Sequence, residues 1–494
     1  MQFSRQLSGF PLAALLCAVP GAGLAALFAS GGSPGSLGLL AAGLAVGLIG
    51  LTALPRHWKT VGPIEKYTDA SSGSAEVPSL ASTVLFFLIL TGPPRLRVRS
   101  DPMASIRGDV DAVVVFQIVV WALAGMWVLH ELWQYRSRLG APMRLRLPQG
   151  LGILLVFCLG LSAFVSEAPL LTLFEVYQLG VMLLLGFLFV RRYGPRACLQ
   201  RLFWGYTVLL IAAGILALCA PDAAFQPMPS GGLRLWANLI VDGVGQVAAL
   251  AIILLLTIAP RLPRMLYLSL LALDVAILVV SYTRSAYLCV FAFLALALVK
   301  RTQSVAPRRV AYLLLAAIPV LLATGLLPRV VLLVVRESET LGTLTGRTGL
   351  WAYLADVTFS KSPWIGLGYY SAARIYGAQY GTWSVSPHSS FVQVLVGGGL
   401  LSLGVFALLW SVLLFRATSL LLRTTDRYAF AACSLLISVF VVSQVGEGME
   451  PGPRGFTFWC LVTIVPWMRD RLASSRNPTA CRAARRGILI SSKR

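Results

Sequence analysis

The sequence contains little charge and very little histidine. Asp, Glu, Lys and Arg make up 12% of its 494 residues, and only three residues are histidines. A soluble protein of this length would carry about a quarter charged residues, which excludes an ordinary soluble enzyme. Acidic residues are the scarcer class, 19 against 41 Lys and Arg, so the formal net charge is +22.

The sequence also lacks the cysteine spacings that are typical of disulfides or metal sites. The eight cysteines lie mostly inside apolar runs, and no CxxC pair or metal-like spacing occurs among them. We therefore interpret them as small buried side chains and expect neither disulfides nor a metal site. No cofactor is predicted.

Long apolar runs are abundant. Hydrophobic residues make up 57% of the chain, in separate runs of about 15–22 residues, the length that crosses a hydrocarbon core as a helix. The sequence predicts an all-α, polytopic helical membrane protein with about 12–14 transmembrane helices and one long periplasmic loop. The predicted helices are 10–29, 36–54, 79–92, 110–130, 149–165, 170–190, 200–220, 239–259, 264–281, 285–299, 310–327, 388–415, 428–445 and 455–469.

The basic residues predict the orientation of these helices. With the N-terminus in the cytoplasm, most of the 41 Lys and Arg fall in cytoplasmic segments, as the positive-inside rule expects. This explains the net charge without nucleic acid as a partner. The predicted parts are 1–150, N-terminal transmembrane helices; 151–327, transmembrane core; 328–387, periplasmic loop with short helices; 388–470, C-terminal transmembrane helices; and 471–494, basic cytoplasmic tail.

The long loop has its own helix signals. Thr343 or Thr345 could cap a helix that runs through Leu354 and lies on the membrane surface or against the bundle. Gly366 and Gly368 then predict a tight turn, and a second short helix is predicted over 369–380.

His388 is the candidate catalytic residue. It directly precedes a predicted span at the outer face, whereas His57 and His130 fall at cytoplasmic helix ends. Imidazole titrates near neutrality and can accept a proton from a hydroxyl. The alternative is an interfacial histidine that bonds a backbone group.

Arg284, Arg347 and Arg234 are the candidate anion-binding residues, because arginine is scarce at the predicted outer face. A guanidinium binds phosphate through two parallel hydrogen bonds. The alternative is that each side chain reaches lipid headgroups. If the anion is a diphosphate, the arginines would stabilise it as a leaving group while His388 deprotonates an acceptor hydroxyl. Trp364 and Tyr369 offer flat faces for sugar rings.

Four motifs resemble a known family. They are Thr283-Arg284-Ser285, Thr345-Gly346-Arg347-Thr348 with Trp351, Gly366-Leu367-Gly368, and Pro387-His388-Ser389-Ser390 followed by Gly397-Gly398-Gly399. In order and spacing the chain resembles, over roughly 151–410, the O-antigen ligase and O-antigen or exopolysaccharide polymerase superfamily. These are membrane glycosyltransferases that use undecaprenyl-diphosphate-linked glycans.

The resemblance implies specific roles. Arg284 and Arg347 would bind the diphosphate, Arg234 would be a further such residue, and His388 would activate the acceptor in a metal-independent, inverting reaction. Ser389 stands where the family often has asparagine, and would contact substrate. The implied location is the bacterial inner membrane, with the site facing the periplasm. The implied partners are a lipid-linked glycan donor, a glycan or lipid A core acceptor, membrane lipids and polysaccharide-assembly proteins.

Several functions remain open at this point. The forms around Arg347 and Gly366 favour a polymerase, with a ligase for lipid A core as the alternative and a protein-glycosylating relative as a third. From another class, a flippase for lipid-linked oligosaccharides would also need many spans. The long outer loop and the absence of a detectable internal repeat or of charge runs within the spans count against it.

Overall fold

Helices dominate the computed structural model, which describes residues 85–90 (apart from 87), 112–139, 145–227, 233–237, 243–258, 262–301, 347–381, 386–446 and 448–476. The predicted helices 10–29, 36–54 and 310–327 lie outside these residues, and 79–92 lies mostly outside. The described helices are α1 Ala112–Leu139, α2 Leu147–Leu161, α3 Pro169–Cys219, α4 Pro221–Ala224, α5 Val244–Ile258, α6 Arg264–Val280, α7 Arg284–Arg301, α8 Arg347–Lys361, α9 Ser371–Tyr380, α10 Ser390–Arg423, α11 Arg427–Val445 and α12 Pro453–Arg476.

The predicted all-α membrane fold is confirmed. Within the described residues, five helical stretches are long and apolar enough to cross a membrane. They are 115–134 in α1, 147–164 from the start of α2, all of α3, all of α10 and all of α11. A single hairpin interrupts the helical pattern of the described part, formed by β1 Phe225–Pro227 and antiparallel β2 Leu233–Leu235.

The longest helix, α3, combines two predicted spans. The sequence predicts 170–190 and 200–220 as separate spans, and the structure has one run of 51 residues broken at Gly194 (φ 81°, ψ 160°) next to Pro195. Proline removes a backbone donor and glycine accepts the positive φ, so two helical segments meet at a kink here, one for each predicted span.

Antiparallel packing of α7 and α11 defines the two ends of the bundle. The Cys289 thiol and the Ser438 hydroxyl each donate to the other residue's carbonyl oxygen at 3.4 Å. Further along α7, the Lys300 ammonium lies 4.6 Å from the centre of the Phe430 ring. Later residues of α7 therefore contact earlier residues of α11, so the two helices are antiparallel. As a result, the start of α7 lies at the same end as the end of α11.

We call this end the α8–α9 end, because both short helices lie there. Lys361 of α8 and Tyr376 of α9 bond each other and Glu167 in the turn between α2 and α3. At the opposite end, Arg196 bonds Asp426 and Gln200 bonds the Tyr428 hydroxyl. Among the described residues, the loops predicted to be periplasmic thus lie at one end of the bundle and those predicted to be cytoplasmic lie at the other.

Candidate active site

α8 and α9 are the two predicted loop helices, and both are confirmed. Leu350, Leu354 and Thr358 of α8 are buried. Leu350 and Leu354 share a small apolar cluster with Tyr376 of α9 and Val396 of α10. This places α8 against the bundle. α9 begins at Ser371, two residues later than predicted, because Tyr370 takes a left-handed conformation (φ 67°) that a helix cannot include.

The two glycine motifs dock against each other. α10 is broken at Gly399 (φ 67°, ψ −167°), and the turn between α8 and α9 inserts at the break. The amide groups of Leu367 and Gly368 donate to the carbonyl oxygens of Val396 and Gly397 at 2.9 and 3.1 Å. In return, the Leu400 and Leu401 amides donate to Pro363 and Trp364 at 2.8 and 3.1 Å. We call these four backbone bonds the α10 interlock.

Only glycine fits at the centre of the interlock. A Cβ at Gly366, where φ is +73°, would lie 2.5 Å from the Gly398 nitrogen, and one at Gly399 would lie 2.6 Å from the Gly366 nitrogen. Both distances are shorter than contacts that side chains make. The glycines therefore allow two backbones to approach closely, and this rigidly attaches the α8–α9 segment to α10.

His388 stands at the entry to α10 in a constrained conformation. Its φ is +48°, an uncommon value outside glycine that is often found where structure serves function. The backbone around it is held from both sides. The Trp351 indole donates to the Pro387 carbonyl oxygen at 2.6 Å, and the His388 amide donates to the Ser386 hydroxyl at 3.2 Å. The side chain is half-buried.

Ser389 and Ser390 secure the start of α10. The Ser389 hydroxyl caps the helix by accepting from the Val392 amide. The Ser390 hydroxyl donates to the Gly446 carbonyl oxygen at 3.4 Å and accepts from the Gly448 amide at 2.7 Å. His388 is thereby fixed beside the loop that follows α11.

Arg347 reaches the same loop from α8. It is the first residue of that helix, and its guanidinium donates to the Val445 carbonyl oxygen at 3.1 Å. Val445 immediately precedes Gly446, to which Ser390 bonds. Trp351, one turn further along α8, holds Pro387 next to His388. Two predicted site residues are thus brought together around the end of α11.

Arg284 lies at the same end. It is the exposed first residue of α7, which runs antiparallel to α11, so it lies level with the end of α11. Its neighbour Ser285 accepts a hydrogen bond from Gln246 of α5 at 2.6 Å, and a Cβ at Gly446 would lie 3.3 Å from the same Gln246 nitrogen.

Arg234 is held on the β-hairpin. Its guanidinium donates twice to the Gln226 side-chain oxygen, at 2.7 and 3.2 Å, and stacks 4.1 Å from the Trp236 ring centre. The hairpin follows α3 and α4, and the described contacts do not join Arg234 to His388 or Arg347. Its role in anion binding stays a prediction.

The aromatic candidates differ in exposure. Trp364, in the turn of the α10 interlock, is 69% exposed. Tyr369 is 1% exposed, and its amide donates to the Ser162 hydroxyl at 3.1 Å. A sugar would reach Trp364 directly but would reach Tyr369 only after this packing opens. Both contacts stay predictions.

Two cationic side chains at this end were not selected from the sequence. Arg454, near the start of α12, donates to the Gln246 side-chain oxygen. Arg374 of α9 bonds the Tyr370 hydroxyl at 2.9 Å. Burial opposes the charge on Arg374, but Tyr370, Glu175 and Glu450 offset this, and the pKa of the guanidinium is raised. Arg454 had a usable signal, since it is one of the few arginines in predicted outer segments.

Several helices begin at this site, and this favours an anion. The N-termini of α7, α8, α10 and α12 lie at the α8–α9 end, and three of these helices carry an arginine in their first two positions. Helix N-termini carry partial positive charge and exposed amide donors. Among the described residues, no group of three or more His, Cys, Asp or Glu side chains is arranged to hold a metal ion.

A family comparison agrees with the sequence prediction. A model described as O-antigen ligase matches residues 268–407, a range that includes Arg284, Arg347, Trp364, Tyr369, His388 and Ser389. The predicted resemblance to this superfamily is confirmed. Arg234 and Arg454 lie outside the matched range. None of the curated proteins matches the chain.

Proposed function

We propose that this membrane protein transfers glycan from undecaprenyl diphosphate to an acceptor sugar hydroxyl. The proposal is supported by the match of residues 268–407 to a family model described as O-antigen ligase, a family of glycosyltransferase-type enzymes. The product is a surface polysaccharide, either O-antigen or exopolysaccharide. The observation that carries the proposal is the meeting of Arg347, His388 and the start of α7 around the end of α11.

In the proposed reaction, the acceptor oxygen attacks the anomeric carbon of the donor. The bond between that carbon and the diphosphate oxygen breaks, and the diphosphate leaves with the electron pair. His388 takes the hydroxyl proton. Arg284 and Arg347 stabilise the negative charge that grows on the diphosphate, together with the helix N-termini around them. Guanidinium groups can supply this stabilisation without a metal ion, and a single displacement inverts the anomeric centre.

The constrained backbone supports the role of His388. A residue held at positive φ by bonds on both sides loses little entropy when substrate arrives, which is the condition for a well-positioned base. Ser389 would contact substrate or cap α10 only, and Trp364 would provide a face for a sugar ring. Arg234, on the hairpin, would be a further diphosphate-binding residue.

The test replaces His388 with asparagine. Asparagine tolerates the left-handed conformation but cannot act as a base at neutral pH. In purified protein supplied with polyprenyl-diphosphate glycan and acceptor, we expect His388→Asn to reduce release of polyprenyl diphosphate by at least about 100-fold, the range for a general base. His130→Asn, at the exposed opposite end of the bundle, should retain wild-type activity. Full activity of His388→Asn would refute the mechanism.

Two further measurements refine the proposal. EDTA should leave the rate unchanged, and NMR of the new linkage should show the anomeric configuration opposite to the donor's. A rate abolished by EDTA and restored by a divalent cation would contradict the metal-independent reaction.

The acceptor separates the polymerase from the ligase. The site chemistry is the same for both, so we favour the polymerase on the motif forms around Arg347 and Gly366, with the ligase as the alternative. Given lipid-linked glycan and lipid A core together, a polymerase lengthens the lipid-linked glycan and a ligase modifies the core. Movement of the donor across vesicles without release of polyprenyl diphosphate would instead identify a flippase.

A further inference from the structure

We propose that Arg454 is an additional diphosphate-contacting residue and that Gln246 is the residue that positions it. This inference rests on the proposed function and adds residues from α5 and α12, which lie outside the matched range 268–407. Arg454 is anchored through Gln246 to the residues next to Arg284 and the end of α11. The described contacts do not join Arg234 to these residues.

Gln246 connects three helices at the α8–α9 end. Its side chain is only 6% exposed. The amide nitrogen donates to the Ser285 hydroxyl of α7 at 2.6 Å, and the amide oxygen accepts from the Arg454 guanidinium of α12. A buried amide needs both a donor and an acceptor partner, and here each partner belongs to a different helix. Gln246 therefore fixes Arg454 relative to the residue that follows Arg284.

Small residues provide the space for this arrangement. A Cβ at Gly243, where φ is +70°, would lie 2.9 Å from the Gln246 side-chain oxygen and 3.4 Å from the central guanidinium carbon of Arg454. A Cβ at Gly446 would lie 3.3 Å from the Gln246 amide nitrogen. The backbone on both sides thus approaches the side chains closely, and the guanidinium has a defined position.

Arg454 and Arg347 approach the end of α11 through different contacts. Arg347 donates to the Val445 carbonyl oxygen, and a Cβ on Gly446, the next residue, would meet the Gln246 side chain that holds Arg454. Arg284 begins α7 at the same end of the bundle. A diphosphate has several oxygens to share, so guanidinium groups held on different helices at one end can bind it together.

A purely structural role makes a different prediction. If Arg454 only joins α12 to α5, its loss should lower thermal stability and leave donor affinity unchanged. If it contacts the diphosphate, lysine should preserve the charge but not the two-pronged geometry, and affinity should fall even in a stable variant.

The experiment uses the full-length protein in nanodiscs. Inorganic pyrophosphate serves as the probe, and its protection of the protein against thermal unfolding is measured for wild type, Arg454→Lys, Arg454→Gln and Gln246→Leu. Donor KM and kcat are measured on the same samples. Arg469→Gln is the matched control, because it removes the same charge from the far part of α12, where Arg469 lies 5.6 Å from the Phe415 ring centre.

We expect about 10-fold weaker pyrophosphate binding and a similarly raised donor KM in Arg454→Lys, the effect of losing one charge-assisted hydrogen bond. Gln246→Leu should also weaken pyrophosphate binding and raise the donor KM, since Arg454 loses its anchor. Arg469→Gln should bind pyrophosphate as wild type does. Unchanged pyrophosphate affinity and unchanged KM in a stable Arg454→Lys would overturn the proposal.

Failure of the proposed function would look different. If wild type binds pyrophosphate and Arg454→Lys does not, but no polyprenyl diphosphate is released under any condition, the anion site stands and the transferase assignment fails. If wild type releases polyprenyl diphosphate and Arg454→Lys behaves like wild type, the transferase stands and the role of Arg454 fails.

Discussion

At the scale of single residues, the site combines fixed cations with one strained histidine. Arg347 is bound to a main-chain carbonyl oxygen, and His388 is held at positive φ between two anchored neighbours. Neither arrangement improves a packed core, and the strain at a histidine costs about 1–3 kcal/mol that the surrounding bonds must offset. Such features are better explained by chemistry at the site than by stability.

Replacing Arg347 with lysine tests the diphosphate contact. Lysine keeps the charge but cannot bind Val445 and a phosphate oxygen with two fixed prongs. We expect kcat/KM for the lipid-linked donor to fall by about 10- to 100-fold, equivalent to about 1.4–2.7 kcal/mol of lost transition-state stabilisation. Steady-state kinetics checks this. A variant with wild-type kcat/KM would show that Arg347 only anchors α8.

Replacing Trp351 with phenylalanine tests how His388 is positioned. The change removes the hydrogen bond to the Pro387 carbonyl oxygen and leaves most of the ring's packing. Because His388 would lose one anchor, we expect kcat to fall by about tenfold at nearly unchanged donor KM, since a small displacement of a catalytic group has large effects on rate. If thermal stability falls together with kcat, the loss of activity would instead indicate partial unfolding.

The sequence was informative about some of these residues and not about others. Arg347 and His388 could be selected because polar side chains are conspicuous at an outer membrane boundary. Their meeting could not be deduced, because it depends on which helices pack together. Gln246 was not selected, since a glutamine near the start of an apolar run carries no charge signal. Its importance follows only from its partners on α7 and α12.

At the scale of elements, the α10 interlock is the feature that holds the site in place. Helix periodicity predicted α8, α9 and the start of α10 to within a few residues, because capping and amphipathicity are local. The break in α10 at Gly399 was not predicted, because its cause is a backbone segment more than 30 residues earlier in the chain. The glycine motifs were visible in the sequence, but their pairing with each other was not.

Gly399→Ala should disrupt the interlock. Alanine at φ 67° is strained, and its methyl group would collide with the backbone of 364–366. We expect loss of folded protein, or at least about 2–4 kcal/mol of destabilisation, with activity lost because His388 is displaced. Thermal unfolding in detergent and transferase assays measure this.

Gly404→Ala is the control within the same helix. A Cβ there meets no atom within 4 Å, and alanine is a better helix former than glycine by about 1 kcal/mol. This variant should be as stable as wild type or more so, and should keep its activity. Equal damage from both substitutions would argue against a specific interlock.

At the scale of the whole molecule, the two ends of the bundle have different chemistry. The α8–α9 end collects the candidate site, whereas the opposite end carries ion pairs such as Arg196 with Asp426 and Arg146 with Asp470. The charge distribution in the sequence predicted this separation, since basic loops prefer the cytoplasm. The proposed orientation therefore places the site in the periplasm.

Cysteine labelling checks the orientation. Gln379 at the α8–α9 end and Thr425 at the opposite end are both exposed. In a variant in which the exposed Cys219, and also Cys17 and Cys481 outside the described residues, are serine, we expect Gln379→Cys to react with a membrane-impermeant maleimide on cells with a permeabilised outer membrane. Thr425→Cys should react only after the inner membrane is opened. The reverse pattern would place the candidate site in the cytoplasm.

The break in α10 constrains how the protein is assembled. Gly399 lies nine residues into the helix, about 14 Å from its start, so without the interlock the amide and carbonyl groups around it would face lipid with no hydrogen-bond partners. Each such group costs several kcal/mol in a bilayer. The partner segment 363–368 precedes α10 in the chain, and in the proposed orientation it crosses to the periplasmic side before α10 inserts. The proposed orientation therefore predicts that a translocation block at the α8–α9 segment also leaves α10 unstable in the bilayer.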